Sequence, residues 1–513
     1  MPQTTFLVPS DLDGESVAAA LAGDETLEAE PSREYRVRFF DTFDWRLHRA
    51  GRTLQRHDGS WQLIDLDRDA VVAEDPARPG PWPRFAWDLD PDGELRRPLG
   101  KLMKMRALLH LVTAGCVRER WVVRNRDAKI ILRLALTGFT PEKPAVDTRL
   151  RVLEIHPLRG YERPARLADE AATRLGLAPM TGSLLDELLV TVGLEPRGYT
   201  SKFRVDMAPT LSAIEAFAVI GRHLLHTIRQ NESGLRADID TEFLHDFRVA
   251  IRRQRSAFNH FRGVVDPAAL APYAERLADL GRRTGPLRDL DVYLLDRERY
   301  RSLIPAELRD GLEPRFERLA AERGRELAQL RRTLGSAEYR DLMRGWSDFL
   351  ADPPPGGLAA ISILDLARKR LRKRHARVLR DGRAIGPDSP DEALHRLRIQ
   401  CKKLRYLLEF TASVFPAGEV DDLISHLKGL QDNLGEFNDL SVQRADLRSA
   451  LASPSGRGQA RVQEAAALGG LLTALHARHH EVRDEFAAAF ADFADPAVTR
   501  HFATLCGKEA TGS

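Results

Sequence analysis

One stretch of sequence occurs twice in this chain, and the two copies align without a gap when residue n is placed beside residue n+150. At two neighbouring positions one basic pair replaces another, Arg252-Arg253 in the first copy and Lys402-Lys403 in the second. A single offset that serves this many positions indicates an internal duplication, so this region must fold as two similar units. The identical pairs include Arg222 and Arg372, His245 and His395, Arg248 and Arg398, Arg255 and Arg405, Leu277 and Leu427, Leu280 and Leu430, Gly285 and Gly435, Asp289 and Asp439, and Leu290 and Leu440.

The duplicated region has the pattern of α-helices. From about Pro209 to Phe502 the chain is rich in Leu, Ala and Arg, and apolar residues recur three and four positions apart. The run of three prolines and two glycines at residues 353–357 cannot be helical. We predict an all-α domain at residues 209–505, with two halves at about 209–351 and 358–505.

Each copy places a basic stripe along one side of a helix. The shared pattern is His-x-x-Arg-x-x-x-basic-basic-x-Arg, and at about 100° per residue its positions 245, 248, 252 and 255 fall within an arc of roughly 80°. Arginines beside a packed interface repel one another unless an anion or carboxylates balance them. The adjoining apolar stripe consists of Leu244, Phe247, Ile251 and Phe258, and is repeated by Leu394, Leu397, Leu404 and Leu408.

These residue types suit phosphate, because guanidinium groups bind two phosphate oxygens at once and ammonium groups add mobile point charges. The block at residues 368–377, just before the second motif, contains no acidic residue. We predict that Asp289 and Asp439 support the site by capping a helix or pairing with a motif arginine, rather than as catalytic carboxylates. The predicted anion-binding residues are Arg222, Arg229, His245, Arg248, Arg252, Arg253, Arg255, Arg372, His375, His395, Arg398, Lys402, Lys403 and Arg405.

Ordinary structural explanations of these residues stay open. A single basic helix is commonly a solvated face with intrahelical salt bridges, and His245 and His395 could each be a partly buried histidine bonded within its own copy. Metal binding is disfavoured, because no second His or carboxylate recurs at ligand spacing in both copies. Tyr406 fits a packing role. The sequence Ser389-Pro390-Asp391-Glu392 predicts a capping box with Pro390 at the first helical position.

Residues 1 to about 200 have a different pattern, with short runs in which apolar and polar residues alternate as in half-buried strands. The segment Pro76–Pro98 is rich in Pro, Gly and Asp and predicts a loop, whereas Arg163–Leu177 predicts a helix. The fold class is therefore α+β, with a mixed domain at residues 1–200 before the all-α domain. The strand-like runs are Thr5–Val8, Tyr35–Phe40, Trp61–Leu66, Arg120–Val123, Ile130–Leu136 and Arg151–Ile155.

Composition argues against several classes of protein. The net charge is only +3, so any attraction for a partner must come from local charge. Cys116, Cys401 and Cys506 lie far apart and form neither a disulfide framework nor a zinc motif. The first residues lack the pattern of a secretory signal, and no run of 18 apolar residues predicts a membrane span. We expect a cytoplasmic protein that needs no cofactor.

The motif residues resemble the CHAD domain, the conserved-histidine α-helical domain. The resemblance lies in His245–Arg255 with Gly285–Val292, and in His395–Tyr406 with Leu434–Leu440. It implies two helical bundles around a pseudo-two-fold axis, with a central basic groove or pore. It also implies binding of inorganic polyphosphate and association with polyphosphate granules, and thus granule-associated proteins as further partners.

The N-terminal region resembles the CYTH domain, a tunnel of antiparallel strands that binds triphosphates, in the segments Phe39–Leu47 and Ala50–Arg56. That family binds its catalytic metal through Glu-x-Glu-x-Lys, but this chain has Met1, Gln3 and Thr5 there. Of a later Glu-x-Glu pair only Glu154 is present, followed by His156. We predict a degenerate tunnel domain without hydrolase activity, although basic residues could still line the tunnel, namely Arg38, Arg56, Arg118 and Arg120.

The sequence therefore predicts a non-catalytic polyphosphate-binding protein that uses two basic His-x-x-Arg helices around a central groove. One alternative is a metal-dependent triphosphatase or adenylate cyclase activity in the N-terminal domain, which needs carboxylates that this chain mostly lacks. The other is nucleic-acid binding, which is disfavoured because no aromatic residues interleave the basic stripes to stack on bases.

Overall fold

A computed structural model of the protein describes residues 4–452 and 457–507. The chain divides into two compact units, Met1–Ser201 and Lys202–Ser513. Among the described residues, each helix is either too short or too polar to cross a lipid bilayer.

The first unit is built on one antiparallel sheet of nine strands in the order β5-β4-β3-β2-β6-β7-β8-β1-β9. Together with the helical second unit this confirms the predicted α+β class. Each strand-like run of the sequence lies in a strand apart from its outermost residues, whereas β3, β5 and β9 were not among those runs. The strands are β1 (Thr4–Leu7), β2 (Thr26–Thr42), β3 (Arg52–His57), β4 (Ser60–Asp65), β5 (Ala70–Pro76), β6 (Leu108–Arg124), β7 (Ile130–Lys143), β8 (Leu150–Pro157) and β9 (Ala178–Pro179).

Alternate residues of each strand point to opposite faces of the sheet, and on the central strands both faces are covered by packed side chains. On one face, Trp121 and Leu134 pack with residues of α1 and α4. On the other face, Val37 and Phe139 pack against Leu188 of α5. The helices are α1 (Gly14–Ala22), α2 (Arg46–Arg49), α3 (Arg96–Met103), α4 (Glu162–Arg174) and α5 (Leu184–Thr191), with a short 3-10 helix at Ala86–Asp88.

The second unit is all-α over its described residues. A break at Thr284 separates two helices of the first half, α8 and α9, where Pro286 occupies the first turn of α9. The corresponding stretch of the second half is one continuous helix, α15. The helices are α6 (Ala213–Ala237), α7 (Thr241–His260), α8 (Pro267–Arg283), α9 (Gly285–Leu295), α10 (Arg297–Ser302), α11 (Glu313–Gly335), α12 (Ala337–Ala351), α13 (Ile363–Arg383), α14 (Asp391–Thr411), α15 (Glu419–Ala452), α16 (Gln459–Phe493) and α17 (Pro496–Leu505).

The 150-residue offset of the sequence recurs in the helices that carry the motifs, since α6 and α13 begin 150 positions apart, as do α7 and α14. Ser212 caps α6 and Ser362 caps α13, each accepting a backbone N–H three residues on. The two caps lie side by side. Ala213 N–H donates to the Ile361 carbonyl, and in return Ile363 N–H donates to the Leu211 carbonyl, both at 2.8 Å. Matched residues thus bond reciprocally, as expected at a local two-fold axis.

The predicted capping box at the start of α14 is wrong. Pro390 is the N-cap and makes no side-chain capping bond, so the helix begins one residue later than predicted. The Ser389 hydroxyl instead accepts the backbone N–H of Gly386 at 3.0 Å, within the preceding turn. A proline ring at the cap offers no side-chain acceptor, and the serine is one position too early to reach the third helical residue.

The non-helical segment between the halves is confirmed, and it packs against the end of α7. Asp266 N–H donates to the Pro354 carbonyl, Gly356 N–H to the Val264 carbonyl, and Leu358 N–H to the Gly263 carbonyl, at distances of 2.8–2.9 Å. We call residues 353–358 the strap, because these bonds fasten the second half to the first.

Candidate anion-binding site

Two motif helices, α7 and α14, bring four cations close together. We call Arg248, Arg252, Arg398 and Lys402 the central cluster. Arg252 Nε donates to the hydroxyl of Tyr406 at 2.7 Å, which joins the first copy to the second. Burial lowers the pKa of Arg398, and the charge of Arg252 lowers it further.

Lys402 shows how strongly these charges interact. Burial lowers its pKa to about 8, and the neighbouring charges of Arg398 and Arg252 act in the same direction. Within the described residues, Lys402 has no carboxylate close enough for an ion pair. The cluster therefore holds positive charge at a cost that a bound anion would relieve.

Each copy sets one aspartate beside its own motif arginine. Asp439 Oδ1 lies 3.6 Å from Arg398 Nη2, although the aspartate side chain is mostly exposed. Burial lowers the pKa of Arg248, whereas the charge of Asp289 opposes that effect. Desolvation raises the pKa of Asp289, and the charge of Asp439 adds to this increase. The two aspartates therefore lie near each other, beside Arg248 and Arg398.

Beyond Arg252 and Lys402 a cavity of about 510 Å³ opens between α7, α8 and α14. Among the residues that the structure describes, none that lines this cavity is acidic. Its apolar part is formed by Phe258, Ala274, Ala278 and Ile399, and its polar part by Arg252, Arg255, Ser256, Asn259, Arg262, Lys402, Lys403 and Tyr406. A basic cavity with a partly apolar floor can hold an anion while excluding part of its hydration shell.

Two of the predicted binding residues share one carboxylate that the motif did not include. Arg253 Nη2 lies 2.8 Å from Glu409 Oε2, and Arg405 Nε lies 2.8 Å from Glu409 Oε1. The Glu409 side chain is only 11% exposed. This ion-pair triad ties α7 to α14. The sequence signal was the spacing of four residues between Arg405 and Glu409, which is typical of a helical salt bridge.

The two motif histidines differ in their exposure, since His395 is exposed and His245 is half-buried. His395 Nδ1 lies 2.7 Å from Asn438 Oδ1 of α15, and Asn438 Nδ2 donates to Asp439 Oδ1 at 3.3 Å. A chain of polar contacts thus runs from His395 to Arg398. His245 is half-buried and engaged with its surroundings. Over the described residues, no group of three or more His, Cys, Asp or Glu could hold a metal ion.

Four of the predicted binding residues contact backbone carbonyls or an aromatic ring instead of the central cluster. Arg222 donates to the Leu350 carbonyl at 2.8 Å, and the matched Arg372 donates to the Cys506 carbonyl at 2.7 Å. Arg229 donates to the Met343 carbonyl, and the ring of His375 stacks on Phe502. Arg222 and Arg372 therefore satisfy carbonyls at the end of the last helix of each half, where positive charge is favourable. Burial lowers the pKa of His375 to about 4, which keeps it neutral.

In the first unit, the four arginines predicted to line a tunnel do not share one face of the sheet. Arg118 lies in a cavity of about 180 Å³, paired with Glu154. Arg38 and Arg56 pair across β2 and β3 and point to the other face of the sheet, because their neighbours Val37 and Gln55 line the cavity. Thr5 also lines the cavity, whereas Met1 and Gln3 lie outside the described residues.

The second unit is thus a duplicated, all-helical domain whose two copies bring basic helices together. Residues 219–448 match the model of the CHAD domain, which supports the predicted resemblance over these residues. The resemblance of residues 1–200 to the CYTH domain stays a prediction.

The chain is similar to one further protein sequence and to two solved structures. An uncharacterized protein of Mycobacterium tuberculosis is 26% identical over 294 residues, which are 55% of this chain and 53% of that protein. The chain thus spans about half the length of this relative. The CHAD domain from the plant Ricinus communis is 26% identical over 57% of this chain and 95% of its own, with a TM-score of 0.48. PptA from Streptomyces chartreusis is 17% identical over 55% of this chain and 99% of its own, with a TM-score of 0.43.

Proposed function

We propose that the helical unit binds inorganic polyphosphate without catalysing a reaction on it. The observation that supports this most directly is the meeting of Arg248 and Arg252 from one copy with Arg398 and Lys402 from the other, beside a cavity without acidic lining. Polyphosphate repeats the same anionic group along a flexible chain. A row of guanidinium and ammonium groups one helical turn apart matches that repetition.

The same proposal includes a location for the protein in the cell, at polyphosphate granules. Polyphosphate collects in cytoplasmic granules, as the resemblance to the CHAD domain implies, and a protein that binds the polymer would be retained there. Proteins associated with the granules would then be its neighbours. Colocalisation of the tagged full chain with granules, and its loss when the central cluster is mutated, would connect retention to the site.

The binding test uses the full chain and long-chain polyphosphate. The wild type should bind with an affinity that falls steeply with salt, by the counterion-release argument developed for nucleic acids. Substituting Arg248, Arg252, Arg398 and Lys402 with Glu should abolish binding at every salt concentration. Unchanged affinity in this variant would overturn the proposal.

A matched control separates site binding from general charge. Four exposed arginines of α11 and α12 can be changed to Glu together, which removes the same charge at a distance from the motif: Arg325, Arg332, Arg340 and Arg344. This control should keep most of the affinity. Competition at fixed salt between polyphosphate and single-stranded DNA tests the nucleic-acid alternative, which predicts that DNA displaces polyphosphate at comparable concentration.

A further inference from the structure

A second group of cations lies next to the cavity. We call Arg262, Arg370, Arg374 and Lys403 the side cluster. Burial lowers the pKa of Arg370, and the charge of Arg262 lowers it further. Burial likewise lowers the pKa values of Arg374 and Lys403, and the charges that act on both groups are all from arginines, including Arg377.

Neutral acceptors orient these arginines without balancing their charge. Arg370 Nη2 donates to the carbonyl of Arg262 at 2.7 Å. Arg374 Nη1 donates to Gln400 Oε1 at 3.4 Å. Within the described part of the chain, none of the four side-cluster residues has an ion pair with a carboxylate. Nearby, burial and the charges of Arg374, Arg370 and Lys403 lower the pKa of His260 to about 3, so that this ring is neutral.

The side cluster is continuous with the central cluster. Lys402 and Lys403 follow each other on α14 and both line the 510 Å³ cavity. Arg262 lines the same cavity, as does Arg252 of the central cluster. A chain of phosphates that leaves Lys402 therefore meets only basic and neutral groups until it reaches α13.

The two side-cluster arginines of α13 have no basic counterpart in the first half of the domain. At the 150-residue offset, Arg370 and Arg374 correspond to Ile220 and Leu224 of α6, which are 0% and 1% exposed. In the first half these helix positions belong to the apolar core, whereas in the second half they are half-buried arginines. The central cluster thus takes cations from both halves, whereas the side-cluster arginines of α13 have apolar counterparts in α6.

The charges of the two clusters indicate what each can hold. The four cations of the central cluster, with Asp289 and Asp439 beside them, leave a net formal charge of +2. The side cluster holds four cations and no carboxylate, a net formal charge of +4. Most of the unbalanced positive charge therefore lies outside the central cluster.

We propose that the side cluster is a second subsite for the same phosphate chain, which makes the domain prefer long chains to short ones. This proposal rests on the proposed function. A short oligophosphate occupies the central cluster alone, whereas a longer chain continues through the cavity onto α13. The phosphate chain therefore leaves the central cluster in one direction, toward α13, because the matching positions of the first half are apolar.

The test compares tripolyphosphate with long-chain polyphosphate on two variants of the full chain. Arg370→Gln with Arg374→Gln removes two side-cluster charges. Lys369→Gln with Lys373→Gln removes two charges from the same helix at the same spacing, from exposed positions outside the cluster. The side-cluster variant should lose about tenfold or more in affinity for the long chain and little for tripolyphosphate. The control should lose little for either ligand.

Salt dependence gives a readout that a folding defect would not reproduce. The slope of log affinity against log salt should fall by about two for the long chain in the side-cluster variant, and should stay unchanged for tripolyphosphate. Unchanged long-chain affinity, or an equal loss in the lysine control, would overturn the second subsite. Failure of the central-cluster variant to lose tripolyphosphate binding would instead overturn the proposed function itself.

Discussion

Lys402 differs from its matched residue Arg252 in that its charge can be lost near neutral pH. Burial lowers the pKa of Lys402 to about 8, and the charges facing it are those of Arg398, Arg252, Asp439 and Arg405. A bound polyanion favours the protonated ammonium, so binding takes up a proton once the free protein has released it. Affinity should therefore be constant below pH 7 and fall as the pH rises through 8, by up to about tenfold between pH 7 and pH 9.

The measurement is a series of titrations with polyphosphate from pH 6.5 to 9.5 at constant ionic strength. Lys402→Arg is the control, because an arginine keeps its charge over this range. Its affinity should be flat with pH. A fall of the same size in Lys402→Arg would show that another group titrates. The stability of the folded chain should change with pH in the opposite direction to the affinity. The pKa of Lys402 is lower in the folded chain than in the unfolded chain, so its contribution to stability rises with pH above about 8.

At the scale of elements, the contact between α7 and α14 depends on a carboxylate. Glu409 bonds both Arg253 and Arg405, and the side chains of Arg253 and Glu409 are only 13% and 11% exposed. Glu409→Gln should lower the free energy of unfolding by about 2–4 kcal/mol, because the partly buried Arg253 loses the negative charge that Glu409 sets against it. Urea unfolding followed by circular dichroism measures this.

The comparison for this prediction is Glu481→Gln on α16, which removes one carboxylate from the exposed partners of Arg478. It should cost at most about 1 kcal/mol. A second variant, Arg253→Met with Glu409→Leu, replaces the buried pair with apolar side chains of similar size and should recover much of the loss. If Glu409→Gln unfolds like the wild type but loses polyphosphate affinity, then Glu409 belongs to the binding site instead.

The elements also show what the sequence could and could not predict. Apolar periodicity predicted the helical region, and the repeat located the two matched motif helices, because their packing faces recur along the chain. Periodicity could not show whether Arg222 and Arg372 face the groove or bond elsewhere. Their phase on the helix permits a groove, but the carbonyls that they bind belong to helices more than 100 residues away. Likewise, the arginines at 370 and 374 matter because of Lys403 and Arg262, which tertiary packing brings to them.

At the scale of the whole helical unit, the two halves are fastened at the pseudo-two-fold axis and by the strap. The reciprocal bonds between Ala213 and Ile361 and between Ile363 and Leu211 join the caps of α6 and α13. The central cluster also takes two cations from each half. Neither half alone can therefore form the cluster, and any binding that needs it must need both halves.

A split chain tests this dependence. Residues 1–352 and 353–513, produced together, leave the strap attached to the second half, where Pro354 and Gly356 still meet the first half. The two pieces should copurify and bind polyphosphate with nearly the affinity of the intact chain. Each piece produced alone should lose nearly all of that affinity, because it keeps only two of the four central cations. If each basic helix were simply a solvated face that attracts polyanions by itself, a single piece would retain much of the affinity, and that result would refute a site shared between the halves.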